Sequence, residues 1–363
     1  MRNLAICGEN INQSPVKTLG IAQIELNSVP ILAGLLKTED IDFDPDLPEN
    51  RQQVLVRKIA FSCNYRDQGL MLRAAPYVKG DRYYVIGSEF VGEVVAVGAE
   101  VTNLQIGDRV IGDNQYPHSG VVGILPGVPT NQASKEYQVF HQVKLLKIPP
   151  QMPDEIAAGF SIGAQTTYSM IRKLNIQPGS NILVTAGKSN TSLFAIAALQ
   201  KYQVNVYVTS TSWGFADKFS DLGVKQFIPV NLNTEKLIPP EIPGFDCIID
   251  PFFDLHIGKL INNLVDGGRY ITCGLYHQFF DPSFEYRGLT LSEIMTTVLV
   301  KNLQIIGNCI GQTEDLANAV QDYLNGQLPV AIDSVWSDTQ ISEFFTRTYH
   351  AKDRFGKVVY RYN

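Results

Sequence analysis

The alternation of apolar and polar positions is most regular between Asn181 and Ser212, and the rest of the chain is arranged around that stretch. It opens on a short β-branched run, Ile182 to Thr185, and turns through small residues from Ala186 to Ser192. Leu193, Phe194, Ile196, Ala197 and Leu199 then recur at helical spacing, and a second β-branched run, Val204 to Thr209, closes the segment. Strand, helix and strand in this order predict a βαβ crossover. A small-residue turn that opens a helix presents unpaired N–H groups and the positive helix end, which is where a phosphate can sit. The turn departs from the dinucleotide fingerprint G-x-G-x-x-G. Registered on Ala195 and Ile196, the glycine positions read Gly187, Ser189 and Ser192. On this turn alone an ordinary strand-turn-helix stays open.

On the N-terminal side, residues 1–50 alternate weak strand signals with a Pro- and Asp-rich connector, Asp42 to Glu49. Val54 to Ala60 reads as a strand. Gly87 to Gly112 reads as short strands punctuated by Gly92, Gly98 and Gly107, the pattern of a small β-barrel. Residues 113–135, with Gly120, Gly123, Pro126, Gly127 and Pro129, predict a long surface loop, and Val139 to Ile148 another strand. Pro149, Pro150 and Pro153 precede two helical runs, Glu155 to Ala164 and Tyr168 to Leu174. Beyond Ser212, strand signals at Gln226–Val230, Cys247–Asp250, Arg269–Cys273 and Leu303–Ile306 alternate with helical ones, which implies a parallel sheet covered on both faces. The segment ending in DRFGKVVYRYN returns to a helix and a terminal strand.

Composition narrows the class. The 363 residues are 45% hydrophobic and 18% charged, enough for two domains without staples. A net charge of −6, with no cluster of Lys and Arg, argues against nucleic acid or an anionic membrane and for a small-molecule substrate. No apolar run reaches the ~18 residues a membrane span needs, and Met1 to Ser14 does not read as a signal peptide, so the expected location is cytoplasmic. The five cysteines, Cys7, Cys63, Cys247, Cys273 and Cys309, are scattered in contexts that look buried, which favours free core thiols. The five histidines, His118, His141, His256, His277 and His350, show no metal-ligand pairing and read as surface or satisfied core residues.

The motifs VLVRKIAFSCNYRD (Val54 to Asp67), Gly87-x-Glu89-x-x-Gly92, Gly107-Asp108-Arg109-Val110, Thr166-x-Tyr168, Gly267-Gly268-Arg269 and Gly356-Lys357-Val358-Val359 follow one another in a fixed order. In that order the chain resembles the medium-chain dehydrogenase/reductase superfamily, and within it the zinc-independent branch of quinone oxidoreductases and enoyl reductases. The resemblance implies an α/β fold, with a Rossmann doubly wound parallel sheet over residues 166–310. It also implies a GroES-like β-barrel catalytic domain over 1–165, completed by 311–363. Homodimerisation through the edge strand near Leu303–Ile306 is implied in the same way.

Zinc-dependent members hold their metal with Cys, His and Cys. The corresponding positions here carry Asn64, Ser88 and Ile162, so the resemblance implies no metal. Asn64-Tyr65-Arg66-Asp67 is similar to the Asn-Phe-Arg-Asp of synthase enoyl reductase modules, which makes Asn64 and Tyr65 candidates for contact with substrate or nicotinamide. The tyrosine that some enoyl reductases carry downstream would fall on Ala75, and Tyr77, two residues on, either replaces it or is a surface aromatic. Asp67 and Glu89 read as carboxylates that fix barrel geometry.

The cofactor candidates follow from the turn and from the end of the second strand. Gly187, Lys188, Ser189, Asn190 and Thr191 line the phosphate turn, where Ser189 and Ser192 offer hydroxyls in place of the missing glycines. Thr209-Ser210-Thr211-Ser212 carries no acid of the kind that binds NAD ribose hydroxyls, and Lys218 lies nearby, so this stretch suits NADPH. Ser210, Thr211, Ser212, Lys218 and the tail residue Lys357 complete the set. The function expected is a zinc-independent, NADPH-dependent oxidoreductase that reduces an activated C=C in an enone, quinone or enoyl thioester. Metal-free carbonyl reduction or alcohol oxidation, and a cofactor-binding scaffold without catalysis, are the alternatives.

Overall fold

The weak alternation in residues 1–50 becomes real structure once strands pair. In a computed structural model describing residues 1–278 and 288–363, contacts group the chain into two units, Met1–Ile162 with Ala331–Asn363, and Gly163–Val330.

In the first unit Lys17–Leu26, Val29–Lys37, Arg2–Cys7 and Tyr83–Val85 form a four-stranded antiparallel sheet in that order. A seven-stranded sheet runs Ile332–Ser337, Lys357–Arg361, Gln53–Ser62, Glu89–Val97, Arg109–Gly112, Leu145–Lys147, with Tyr137–His141 also pairing Gln53–Ser62. Its core is aromatic. Phe61 packs on Phe344, Tyr360 and Tyr362, while Phe90 stacks on Phe140 with centroids 5.0 Å apart. Such pairs add to plain area burial.

The second unit is a six-stranded parallel sheet ordered Gln226–Pro229, Asn205–Ser210, Asn181–Val184, Phe245–Asp250, Leu264–Thr272, Gln304–Gly307. Numbered along the chain this order is 3-2-1-4-5-6, the doubly wound arrangement in which ligands bind at the carboxyl ends, where the order reverses. The reversal lies between Asn181–Val184 and Phe245–Asp250, next to the turn that begins the helix Asn190–Leu199.

Several local expectations are corrected. The two helices expected at Glu155–Ala164 and Tyr168–Leu174 are instead Asp154–Ala157 and Ser161–Leu174. Gln165-Thr166-Thr167, between the two expected runs, continues the helix, and partners meet its side chains. Gln165 donates to the Gln312 carbonyl, Thr167 to the Thr191 carbonyl and Ser169 to Asn308. Val139–Ile148 is likewise not one strand. It divides at a 3-10 turn, Gln142–Lys144, where His141 Nδ1 accepts the Val143 N–H.

Residues 311–330, expected in the barrel half, lie with the second unit. There Asp315 takes two hydrogen bonds from Arg172, and Asp322 accepts from Tyr168 at 2.5 Å. The 113–135 loop is less superficial than expected. Asp113 and Asn114 are buried, and Lys144 donates to the Leu125 and Gly127 carbonyls, although Val122 and Leu125 remain exposed. Cys7, Cys63 and Cys247 are buried, but Cys273 is only partly so and Cys309 is exposed.

Candidate functional site: two polar centres

The first unit gathers polar side chains where three segments meet. The antiparallel register pairs Ser62 with Glu89 and Val359 with Ser62, so the chain just beyond Ser62 is flanked by Ser88 on one side and Lys357 on the other. Asn64 is extended, at φ −108° and ψ 170°, and caps the helix Tyr65–Ala74, with its N–H donated to Asp67 Oδ2 at 2.6 Å. Ser88 Oγ donates to the same oxygen at 2.6 Å. Glu89 Oε2 accepts from Lys357 Nζ at 2.6 Å and Asn64 Nδ2 at 2.9 Å, and Oε1 accepts from the Ile162 N–H at 2.6 Å. Asn64 Oδ1 accepts from Lys357 at 2.7 Å, and Asn64 Nδ2 also reaches Ser88 at 3.2 Å.

Asp67, Ser88, Glu89 and Lys357 are all at most 2% exposed. The centre is therefore closed, with ammonium and carboxylate matched and the Asn64 amide engaged on both nitrogen and oxygen. Burial pushes the Asp67 carboxyl up against the opposing pull of Arg66, Ser88, the Asn64 N–H and Lys357. Burial also drives the neighbouring Cys63 thiol and the Tyr349 hydroxyl well above their ordinary values.

Lys357, expected from the sequence to bind cofactor, thus stands inside the barrel unit and joins Asn64. Gly159 makes room for it, since a Cβ there would lie 2.5 Å from Lys357 Cγ. Tyr65, the first residue of the Asn64-capped helix, is exposed. Tyr77 ends a short 3-10 turn and is 76% exposed, outside this cluster.

The second centre is the turn after Asn181–Val184. Ala186 takes a left-handed conformation (φ 47°), and Gly187 follows where no side chain fits, because a Cβ would lie 2.3 Å from Val208 Cγ1. Ser189 caps the helix Asn190–Leu199. Its Oγ accepts the Ser192 N–H at 3.1 Å and donates to Ser192 Oγ at 2.8 Å, while Ser192 Oγ donates to the Thr185 carbonyl at 2.7 Å. Both hydroxyl protons therefore point into the turn. Each hydroxyl thus already has a partner within the turn.

Other donors remain there. The backbone N–H groups of a helix's first turn have no partner within the helix, and Asn190 Nδ2 is buried without one among the described residues. Thr272 Oγ1 is buried and unpartnered in the same way, at the carboxyl end of Leu264–Thr272. Orphaned polar atoms in a folded protein call for a ligand or water, and these two lie in the unit whose strand ends are suited to one. The turn thus fits a dinucleotide phosphate through backbone and amide donors. Thr191, half-buried, is the next residue along.

At the end of Asn205–Ser210, Ser210 Oγ accepts the Ser212 N–H at 3.1 Å, and Thr211 is exposed. Lys188 and Lys218 both face the Phe215 ring, with their Nζ atoms 4.4 and 5.6 Å from its centroid. One aromatic ring thus brings together two cations that are distant in sequence, beside an acid-free loop.

Behind the turn lies a centre that the sequence alone did not single out. Asp250 Oδ1 accepts from Thr185 Oγ1 at 2.6 Å, the Phe252 N–H at 2.9 Å and His256 Nδ1 at 2.8 Å, and Tyr270 donates to Oδ2. Burial alone would raise this carboxyl, but His256 and the hydrogen bonds from His256, Thr185 and Tyr270 hold it below the usual range. The available signal was an acid closing the apolar strand FDCIID beside the strand that leads into the turn.

Residues 50–150 match the Alcohol dehydrogenase GroES-like domain family. The acryloyl-coenzyme A reductase of Sulfurisphaera tokodaii is 25% identical over 335 residues, spanning 87% of this chain and 94% of the relative. A phenolphthiocerol/phthiocerol polyketide synthase of Mycobacterium tuberculosis is 25% identical over 315 residues, or 85% of this chain, which spans only 13% of that protein. A cobalt- and zinc-bound thermostable alcohol dehydrogenase from Pyrobaculum aerophilum superposes with a TM-score of 0.71 at 18% identity, covering 99% of both chains, a likeness of fold.

Proposed function

We propose that this chain, which belongs to the medium-chain dehydrogenase/reductase superfamily, is a zinc-independent NADPH-dependent reductase of an activated carbon–carbon double bond. The observation that carries this reading is the closed first centre. An amide, a hydroxyl and an isoleucine do not make a zinc ligand set, and the buried ammonium of Lys357 is already hydrogen-bonded to Glu89. Likeness to a relative named acryloyl-coenzyme A reductase over nearly its whole length favours an enoyl thioester among acceptors.

The bound cofactor supplies hydride chemistry, and the protein supplies binding, orientation and a shaped site. The helix start at Asn190 and the Asn190 amide would hold the pyrophosphate, while Ser210, Thr211, Ser212, Lys188 and Lys218 would take the 2′-phosphate. Tyr65 is the candidate for touching substrate, because the Asn64 amide is engaged within its own cluster.

A cofactor-binding scaffold is favoured by one observation, the inward-turned hydroxyls of Ser189 and Ser192, which leave the turn fewer phosphate donors. Titrating NADPH by fluorescence, then following its oxidation with enones, quinones, enoyl thioesters, aldehydes and ketones, separates the readings. Turnover with C=C acceptors supports the reductase. Binding without oxidation supports the scaffold, and turnover confined to carbonyl compounds supports the metal-free alcohol dehydrogenase.

The assembly expected is a homodimer. Among the described residues Gln304–Gly307 is an edge strand with an unpaired side, and Leu291, Met295 and Leu299 are exposed at four-residue spacing on the preceding helix. Light scattering should give twice the chain mass for the native protein and a lighter species for Leu299→Glu.

A further inference from the structure

Asp250 is wholly buried, so it meets no ligand itself, yet Thr185, the Phe252 N–H, His256 and Tyr270 all donate to it. Thr185 stands where the strand Asn181–Val184 ends and the turn begins. Its N–H donates to the Ile249 carbonyl at 3.0 Å, its Oγ1 donates to Asp250 Oδ1 at 2.6 Å, and its carbonyl accepts from Ser192 Oγ at 2.7 Å. One residue thus joins the end of Phe245–Asp250 to the first turn of the helix Asn190–Leu199. The turn needs such a fixture. Ala186 is left-handed at φ 47°, a conformation that costs a residue with a side chain and persists where its surroundings over-determine it.

We propose that Asp250 is a positioning residue for the cofactor: it fixes Thr185, Thr185 fixes Ser192, and the helix start is thereby held where its N–H groups can meet the pyrophosphate. The inference rests on the dinucleotide reading of this turn and adds what keeps the turn in shape. Where the fingerprint has glycines, close backbone packing sets the turn. Here Ser189 and Ser192 stand at two of those positions, and their hydroxyls run inward, Ser189 to Ser192 and Ser192 to the Thr185 carbonyl, in a line of contacts that ends on Asp250. A carboxylate makes a firm end to that line, because hydrogen bonds to an ionised acceptor are the strong ones. Removing the Thr185 hydroxyl leaves Asp250 its donors Phe252, His256 and Tyr270, so the link can be cut without stranding a buried charge.

The test uses the full chain with Thr185→Val, which keeps the shape and loses the hydroxyl, and Thr185→Ser, which keeps the hydroxyl. Two ligands are titrated: NADPH by fluorescence, and adenosine 2′-monophosphate, which lacks the phosphates that would sit on the turn, by competition. Thr185→Val should weaken NADPH about tenfold and leave adenosine 2′-monophosphate within about twofold, while Thr185→Ser should bind NADPH nearly as the unaltered protein does. Asp250→Asn should weaken NADPH to a similar degree, and combining it with Thr185→Val should add little, because both cut one line of contacts. Unchanged NADPH affinity in Thr185→Val overturns the proposal, as do equal losses for the two ligands, no rescue by serine, or losses that add in full. Should Thr185→Val or Asp250→Asn fail to fold, Thr185→Ala against Thr185→Ser makes the same comparison. An unaltered protein that binds no NADPH contradicts the dinucleotide reading itself, whereas the contrast among variants reports on Asp250.

Discussion

The two polar centres use similar residue types to opposite ends. Around Glu89 the protein answers its own charges: Lys357, Asn64, Ser88 and the Ile162 N–H meet the carboxylates, and almost nothing faces water. Around Gly187 the side-chain hydroxyls are also engaged, yet the first helical turn and the Asn190 amide keep donors to give, and two lysines gather beside one ring. Polarity in a sequence therefore does not by itself mark a binding site. What marks it is hydrogen-bonding capacity that the fold leaves unanswered.

The largest effect is expected from opening the closed centre. Glu89→Gln leaves the Lys357 ammonium buried without its counter-charge and should cost about 3–5 kcal/mol in urea unfolding. A near-neutral result would mean that the first centre is solvated and that the contrast between the centres fails. Next comes Gly187→Ala, which places a methyl group 2.3 Å from Val208 Cγ1 and should cost about 1–3 kcal/mol while weakening NADPH binding. Both losses read together in one variant would tie packing of the turn to its use.

Smaller and more selective effects belong to the loop. Ser210→Asp should weaken NADPH binding about tenfold and spare or improve NADH, because a carboxylate repels a 2′-phosphate and accepts from ribose hydroxyls. Lys188→Ala and Lys218→Ala should each weaken NADPH about three- to fivefold without touching NADH, as expected of part-exposed charges. Equal losses for both cofactors, measured by calorimetry, would detach these lysines from the 2′-phosphate.

A separate effect is a pH slope that sets Lys58 against Lys357. Lys58 is also buried, but its partners are the Gln132 carbonyl, Gln138 Oε1 and the faces of Phe90 and Phe140, with no carboxylate among them. Burial, aided by Lys135, holds its pKa well below the ordinary lysine value. Between the folded and ordinary values the unfolded chain carries the extra proton. Stability should therefore rise with pH across that interval, and the gain is lost as pH falls through the folded pKa. Lys58→Met should flatten the slope in melting curves taken at successive alkaline pH values, and an unchanged slope would assign it to other groups.

The parallel sheet was legible in the sequence because buried strands are continuous β-branched runs and βα spacing admits few topologies. The N-terminal sheet was faint, since Lys17–Leu26 alternates between exposed and half-buried positions over most of its length. Asn64, Tyr65, Gly187, Asn190 and the loop at Ser210 were recognisable by position. The partnership of Lys357 with Glu89 was not, because 268 residues separate them and only strand register brings them together. Asp250 was missed for the same reason, as its partners Thr185, His256 and Tyr270 come from separate elements. The inward turn of Ser189 and Ser192 depends on which way hydroxyls point, which no spacing encodes.

Reduction of an activated C=C by NADPH without metal is the proposal on which the others depend. It is tested by the rate of NADPH oxidation by chelator-treated, metal-analysed protein supplied with an enoyl thioester. Steady consumption of cofactor is expected, with matching formation of the saturated thioester, at a rate that chelator leaves unchanged. Consumption that stops on chelation and returns with zinc, or no saturated product at all, would contradict it.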